Sequence, residues 1–187
     1  CKYCNRFSGD LDIDKLESFL RATPPLHHIQ ITGGEPTVHP EFPRIVKMLR
    51  RYTKVLGLST NGSAPIELYL DNPVDMYSIS FDDYSYEVLK EREYVNPSQM
   101  KNVIRELSKR AYVNVGLVID NENADRIEHI IQYIIDMGVN DIKLSVSSHN
   151  VDVMPKLTKT YDEFPILSYR VKNFMKNKPM RGFPTKK

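Results

Sequence analysis

The sequence predicts an α/β fold, and two observations support this prediction. Five short apolar stretches with the pattern of strands alternate with five amphipathic stretches with the pattern of helices, which is typical of a parallel sheet. Each of the first four strands is followed directly by Gly, Asn or Asp, which indicates a loop. The expected strands are residues 28–32, 54–60, 75–81, 112–119 and 142–146. The expected helices are residues 11–21, 42–52, 65–70, 97–109 and 124–137.

The first elements are defined by residue spacing and by turn residues. The first helix carries Leu, Ile and Phe at helical spacing, and two prolines follow it. The first strand alternates polar and apolar residues and stops at Gly33 and Gly34. The second helix keeps its apolar residues on one face. The second strand is a buried-strand run that ends at Asn61 and Gly62, and Pro65 begins the third helix.

The later elements follow the same rules. The third strand reads DMYSISF, and the fourth helix places an apolar residue inward every three or four positions. The fourth strand is rich in Val and Ile, which favour strands. The fifth helix has the clearest pattern, with isoleucines along one stripe and Gly138 as its C-cap. A fifth strand follows.

Composition excludes some classes of partner. The 187 residues include 26 basic and 24 acidic side chains, for a formal net charge of +2. Such a near balance does not favour a nucleic-acid or anionic-membrane partner, and we expect neither. No apolar stretch approaches the roughly 20 residues that span a bilayer.

Small, hydroxyl and carboxylate residues gather in the loops that follow the strands. These loops are GGEP at 33–36, STNG at 59–62, SFDD at 80–83 and DNEN at 120–123. Right-handed crossovers place all such loops at one edge of a parallel sheet, where ligands of α/β proteins bind. The sequence therefore predicts a polar small-molecule site at this edge.

The two cysteines, Cys1 and Cys4, form a CxxC motif. A disulfide between them would close too small a loop to stabilise a fold. A CxxC in a chain with no other cysteine favours a metal or redox site in a reducing compartment. We therefore expect a cytoplasmic protein.

Together these motifs resemble the radical S-adenosylmethionine (SAM) superfamily. The resemblance is carried by CxxC with Tyr3 before its second cysteine, then TGGEP at 32–36, STNG at 59–62 and SISFD at 78–82, in this order. The closest group is the GGEP type, which includes the molybdenum-cofactor enzyme and many peptide-modifying enzymes. The resemblance covers about residues 1–146. It implies a partial (β/α)6 TIM-like barrel.

The resemblance also implies an activity and its cofactors. In the family, three thiolates hold three irons of a [4Fe–4S] cluster, and SAM chelates the fourth iron. An electron from the cluster cleaves SAM to a 5′-deoxyadenosyl radical, which abstracts hydrogen from a substrate. We expect a small-molecule or peptide substrate, such as a cofactor precursor, and an electron donor such as flavodoxin or ferredoxin.

Two of the implied cluster ligands are Cys1 and Cys4, and Tyr3 is expected to contact adenine through its backbone and ring. The family's usual cluster motif is CxxxCxxC, and this chain matches its last two cysteines. We expect the remaining cysteine, and the first of the six barrel strands, to precede Cys1. Residues 147–187 are polar and proline-containing, and we expect a linker with one helix at 161–175 after the core of residues 1–146.

The resemblance implies that SAM binds at the loops. Gly33 and Gly34 would let the backbone approach its methionine part, because a Cβ there would collide with SAM. Glu35 would accept a hydrogen bond from its amino group. Ser80 and Asp82 would bind the ribose hydroxyls. Further pocket residues implied at the strand ends are Ser59, Thr60 and Asn121.

Two alternatives remain open from the sequence. Without a third thiolate the chain cannot hold the cluster in the usual way, so a scaffold or binding protein on this fold that lacks the cluster is one alternative. A zinc-binding module that uses Cys1 and Cys4 is the other, although the chain lacks two further ligands for it.

Overall fold

Five parallel strands form one sheet, and their order in the sheet is their order in the chain. A computed structural model of the chain describes residue 9 and residues 11–81, 96–119 and 123–146. The strands are β1 (Leu26–Ile31), β2 (Thr53–Thr60), β3 (Met76–Ser80), β4 (Tyr112–Ile119) and β5 (Asp141–Val146). A sequential parallel order is that of a (β/α) barrel wall, since a doubly wound sheet reverses its order at a switch point. The predicted α/β class with barrel topology is thus confirmed.

Five α-helices are described, and the strands alternate with them. They are α1 (Ile13–Arg21), α2 (Phe42–Leu49), α3 (Ile66–Asp71), α4 (Pro97–Ser108) and α5 (Ile127–Ile135). The Asp12 side chain caps α1 by accepting from the Lys15 amide, and Asn96 caps α4 in the same way. In the described ranges, no helix combines the length and the apolar character that crossing a bilayer requires.

Some helix ends differ from the predicted ones for local reasons. Helix α2 ends at Leu49 because the next amides, of Arg51 and Tyr52, bond carbonyls three residues back and tighten the last turn. The predicted fifth helix begins as a 3-10 turn over Ala124–Arg126. Gly138 has a φ of 83°, which confirms the predicted left-handed turn after α5.

Two apolar residues of the first predicted helix are not inward. Leu11 is 45% exposed because it precedes the capping residue and lies outside α1. Phe19 is 63% exposed, because α1 packs against the core through Ile13 and Leu20. The helix therefore buries a narrower stripe than the sequence pattern suggests.

One face of the sheet packs against the helices in a single core. The right-handed crossovers of a sequential sheet place all helices on this face. The core-facing strand residues are apolar and buried: Leu56, Leu58, Tyr77, Ile79, Val113, Val115, Leu117 and Ile142. The helices complete the core with residues such as Met100, Ile104 and Ile130, each fully buried.

The opposite face of the sheet, hereafter the open face, is mostly polar. Successive strand residues point to opposite faces, so this face carries the residues between the core positions. Its polar members are His28, Gln30, Ser59, Ser78, Ser80, Asn114, Asp141, Lys143 and Ser145. An ordinary (β/α) barrel fills its interior with Val, Ile and Leu. The open face is instead chemically suited to a polar occupant.

Asp75 stabilises the edge of the sheet at which the strands begin, opposite the loops that follow the strands. Its carboxylate accepts from the Leu56 amide at 2.7 Å and pairs with Arg50. Burial acts to raise the pKa of Asp75, but these two donors outweigh it and lower the pKa below its ordinary value. The contact ties the start of β3 to β2 and to the end of α2.

We predict that Asp75→Asn lowers the free energy of unfolding by about 1 kcal/mol, since a partly exposed charged acceptor is weakened. Because the folded pKa is depressed, the stabilisation is present above the unfolded pKa and is lost as pH falls through the folded value. Urea unfolding of parent and variant should therefore converge in acid. Asp14→Asn, which alters an exposed pair with Arg44, should leave the midpoint unchanged. Equal effects of the two substitutions would contradict the role of Asp75.

Candidate functional site at the loops after the strands

Gly33 and Gly34 follow β1 after one intervening residue, and both are exposed. A Cβ built on either residue meets no heavy atom of the described residues within 4 Å. Neither glycine has a positive φ, so backbone conformation alone does not require glycine here. Open space over two adjacent glycines fits a ligand that approaches the main chain closely. SAM, bound through its methionine part, is a ligand of this kind.

The Glu35 carboxylate is held by four hydrogen bonds from the protein itself. Its Oε1 accepts from the Thr37 amide at 3.2 Å, the Thr37 hydroxyl at 2.6 Å and the Thr60 hydroxyl at 2.8 Å. Its Oε2 accepts from the Asn61 amide at 2.6 Å. The loop after β1 is thereby joined to the loop after β2. A carboxylate has about four lone-pair sites, so Oε2 keeps one acceptor position for a ligand.

Thr60 is buried on the core side of β2, and its hydroxyl is fully used. It donates to Glu35 and accepts from the Gly62 amide at 3.1 Å. Its third contact, at 2.9 Å, is the Tyr69 hydroxyl. Because a threonine hydroxyl has only one proton, Tyr69 is the donor in this contact. The chain of donors therefore runs from Tyr69 through Thr60 to Glu35.

Tyr69 connects this network to the core. Its side chain is fully buried and meets the Tyr77 ring edge to face, with centroids 6.2 Å apart. Burial raises the pKa of Tyr69 to about 12, and the nearby Glu35 charge acts in the same direction. The phenol therefore stays protonated as a donor across the physiological range.

Ser59 and Gln30 lie on the open face beside this network. Gln30 of β1 reaches over Gly57 of β2 to the Ser59 hydroxyl, 3.1 Å away. Its other amide atom lies 3.2 Å from His28 Nε2. Ser59 is half-buried, in contrast to the buried Thr60 that follows it.

A row of polar residues continues from Ser59 across the open face. In the strand register, Ser59 is beside Ser78, Ser78 beside Asn114, and Asn114 beside Asp141. The Asn114 amide donates to the Asp141 carboxylate at 2.6 Å. Every strand from β2 to β5 therefore contributes a hydrogen-bonding side chain to one row.

Ser80 begins a second, shorter row nearer the ligand loops. It is exposed at the end of β3, beside Gly116 of β4, which is in turn beside Lys143 of β5. A Cβ on Gly116 would meet only a backbone oxygen, at 3.9 Å. Among the described residues, no side chain therefore fills the space between Ser80 and Lys143, where a polar ligand can lie.

The structure brings Gly33, Gly34, Glu35, Ser59, Thr60 and Ser80 to the strand ends at one edge of the sheet, as sequence reasoning expected. The other five predicted site residues lie outside the described residues: Cys1, Tyr3, Cys4, Asp82 and Asn121. Their roles stay predictions. Among the described residues, no three His, Cys, Asp or Glu side chains are grouped to hold a metal ion.

Three residues of the site were not singled out from the sequence. Thr37 follows the GGEP motif directly, and its position beside Glu35 was a usable signal. Gln30 is one of the polar residues that alternate along HIQIT, and this alternation marks a face turned away from the helices. Tyr69 reads as an ordinary apolar-face residue of α3, so no signal marked it.

Comparison with known proteins gives a consistent family. The family model described as the Radical SAM superfamily matches residues 1–134. This match confirms the predicted resemblance, and with it the expectation of an enzyme family whose cofactors are a [4Fe–4S] cluster and SAM.

Two curated relatives are similar in sequence. The tungsten-containing aldehyde ferredoxin oxidoreductase cofactor-modifying protein of Pyrococcus furiosus is 24% identical over 155 residues, which are 73% of this chain and 43% of the relative. Pre-heme d1 synthase of Dinoroseobacter shibae is 26% identical over 159 residues, which are 78% of this chain and 39% of the relative. The chain thus spans about two fifths of the length of these relatives.

A solved structure shares the fold. Native anSMEcpe with bound AdoMet and Kp18Cys peptide superposes with a TM-score of 0.69 at 16% identity. The superposition covers 95% of this chain and 57% of that one. At this identity the likeness shows the fold alone, and it confirms the barrel-type architecture.

We predict that Thr60→Val lowers the free energy of unfolding by about 1–3 kcal/mol, since it leaves the buried Tyr69 hydroxyl without its acceptor. Tyr69→Phe should cost less, because Thr60 can still donate to Glu35. The double variant should cost less than the sum of the two single variants. Chemical denaturation of the four proteins measures this coupling, and strict additivity would show that the two hydroxyls do not interact.

The buried Tyr69 hydroxyl should make the free energy of unfolding depend on pH in the alkaline range. Because the folded pKa of Tyr69, about 12, is above the unfolded value of about 10, its stabilisation is complete below pH 10. It is lost as pH rises through the folded pKa, with a total of about 3 kcal/mol. Urea unfolding between pH 9 and about 12 should therefore show a smaller loss for Tyr69→Phe than for the parent. Parallel curves would contradict this assignment.

Proposed function

Since the chain belongs to the radical SAM superfamily, we propose that it forms the core of an enzyme that uses a [4Fe–4S] cluster to cleave SAM reductively. When bound, the cluster and SAM supply a 5′-deoxyadenosyl radical, which abstracts a hydrogen atom from the substrate. The observation that carries the proposal is the exposed Gly33-Gly34 turn, where no side chain of the described residues blocks the main chain, next to the polar open face.

The protein's task on the cluster side is to supply thiolates. Two of the family's three thiolates correspond to Cys1 and Cys4, and Tyr3 between them would contact adenine. The spacing of these residues matches the end of the family's motif, and this match supports the assignment.

On the SAM side, the loop after β1 holds the methionine part. The backbone of Gly33 and Gly34 approaches it without steric hindrance, because no Cβ intervenes. Glu35 offers the remaining lone pair of Oε2 to the amino group, a charge-assisted contact. Ser80 and Asp82, at the end of the third predicted strand, bind the ribose hydroxyls.

Thr60 and Ser59, at the end of β2, have different roles in SAM binding. Thr60 is buried with its hydroxyl used, and it acts through Glu35 by fixing the carboxylate. Ser59 faces the open side and contacts SAM directly. Asn121, in the loop after β4, completes the pocket.

The substrate is a polar small molecule or a peptide held over the open face. The row of hydrogen-bonding side chains from Ser59 to Asp141 supports a polar substrate. The two curated relatives are a cofactor-modifying protein and pre-heme d1 synthase, and the structural neighbour was solved with a bound peptide, so both substrate classes have a precedent. An electron donor such as flavodoxin or ferredoxin would reduce the cluster, in the cytoplasm.

The activity is tested on the full-length protein, reconstituted anaerobically with iron and sulfide and incubated with SAM and dithionite. We expect a brown chromophore and the formation of 5′-deoxyadenosine, and Cys4→Ala should lose both. A cluster-loaded protein that forms no 5′-deoxyadenosine would contradict the enzyme. A protein that binds no cluster would favour the cluster-free scaffold, and bound zinc without colour would favour the zinc module.

SAM affinity tests the ribose contact separately. We predict that Ser80→Ala raises the dissociation constant of SAM about 10-fold, since one hydrogen bond to the ligand is lost. The melting temperature should stay unchanged, because the Ser80 side chain is exposed. Ser18→Ala, on the exposed side of α1, is the matched control and should alter neither quantity. Equal SAM affinities of the Ser80 variant and the parent would remove Ser80 from the site.

A further inference from the structure

Gln30 occupies an unusual position on the open face. It lies exposed on β1, and its carboxamide crosses to β2 and reaches Ser59. At its other side the carboxamide meets His28 Nε2 at 3.2 Å. A single side chain therefore bridges the imidazole of His28 and the hydroxyl of Ser59.

The surrounding donors determine which amide atom faces Ser59. The amide atom on that side lies 3.1 Å from the Ser59 nitrogen, 3.1 Å from the Ser59 hydroxyl and 3.3 Å from the Leu58 nitrogen. Both backbone nitrogens are donors, so this amide atom must be the oxygen, and the amide nitrogen then donates to His28. In this orientation the Ser59 hydroxyl donates its proton to Gln30.

The crossing requires a glycine beneath it. An ideal Cβ on Gly57 would lie 2.8 Å from Gln30 Cδ and 3.1 Å from His28 Nε2. Alanine at position 57 would thus displace the Gln30 carboxamide. The displacement should change the free energy of unfolding little, because the group that must move is the end of a flexible side chain.

We propose that Gln30, lying across Gly57, is a positioning residue that fixes the hydroxyl of Ser59 toward SAM on the open face. The proposal rests on the proposed function, in which Ser59 contacts SAM. With its proton donated to Gln30, the Ser59 oxygen offers only lone pairs to the ligand. Ser59 therefore selects a donor group of SAM, an ammonium or a hydroxyl, over its carboxylate.

The test uses full-length, cluster-loaded protein and the equilibrium dissociation constant of SAM, measured by dialysis without reductant. Gln30→Met removes the acceptor at similar length, and Gly57→Ala displaces it. Each should raise the dissociation constant about 5- to 10-fold, the effect of one hydrogen bond. Gln30→Glu keeps an oxygen acceptor toward Ser59 and should stay within about twofold of the parent.

A double variant separates positioning from a general effect on the strand. In a Gln30→Ala background, Gly57→Ala has no carboxamide left to displace, so it should change the SAM dissociation constant by less than about twofold. The melting temperature of Gly57→Ala should not fall, since alanine loses less backbone entropy than glycine.

Two results would overturn the proposal. One is an equal weakening of SAM binding by Gly57→Ala with and without Gln30. The other is a Gln30→Glu variant as weak as Gln30→Met. Failure of the proposed function is recognised separately, because the parent protein would then show no SAM binding and no 5′-deoxyadenosine.

Discussion

The Glu35 carboxylate is the contact on which the site depends. It follows β1, but its partners Thr60 and Asn61 belong to the end of β2, 25 and 26 positions later. A carboxylate in a partly buried position must be satisfied by donors, and those of this site come from both loops. The pairing of β1 with β2 brings these donors together, and the shape of the exposed Gly33-Gly34 turn follows from that pairing.

The tilt of strands in a barrel wall explains how the polar row lies on the open face. A row in register runs across the strands and meets them at different heights, because parallel strands in such a wall are staggered. Ser59 is the second-to-last residue of β2, whereas Asp141, in the same row, is the first residue of β5. The row therefore descends from the ligand loops on one side to the base of the wall on the other. A ligand can contact it at depth and not only at the rim.

The order of the elements could be predicted from the sequence, since apolar spacing and turn residues are local signals. The motif residues Gly34, Glu35 and Ser80 could be placed at one edge for the same reason, because topology fixes where the ends of parallel strands meet. The partners of Glu35 could not be predicted, since they depend on the register of β1 against β2. The role of Tyr69 was also hidden, because a buried tyrosine in a helix looks like any core residue until its hydroxyl finds an acceptor.

The site contains a frame of side chains whose hydrogen bonds are all made within the protein, and other polar groups that face the open side. The two kinds of residue should respond differently to substitution. The hydroxyl of Thr60 is used within the protein, so changes there act first on the free energy of unfolding. Ser59 and Ser80 present oxygens toward the open face, so we expect changes there to act first on ligand affinity. Because the frame holds the loops before any ligand arrives, binding need not order them, and less of the interaction energy is lost to conformational entropy. Gln30 links the two parts, since its own groups are satisfied by His28 and β2, and in our proposal it determines how Ser59 meets the ligand.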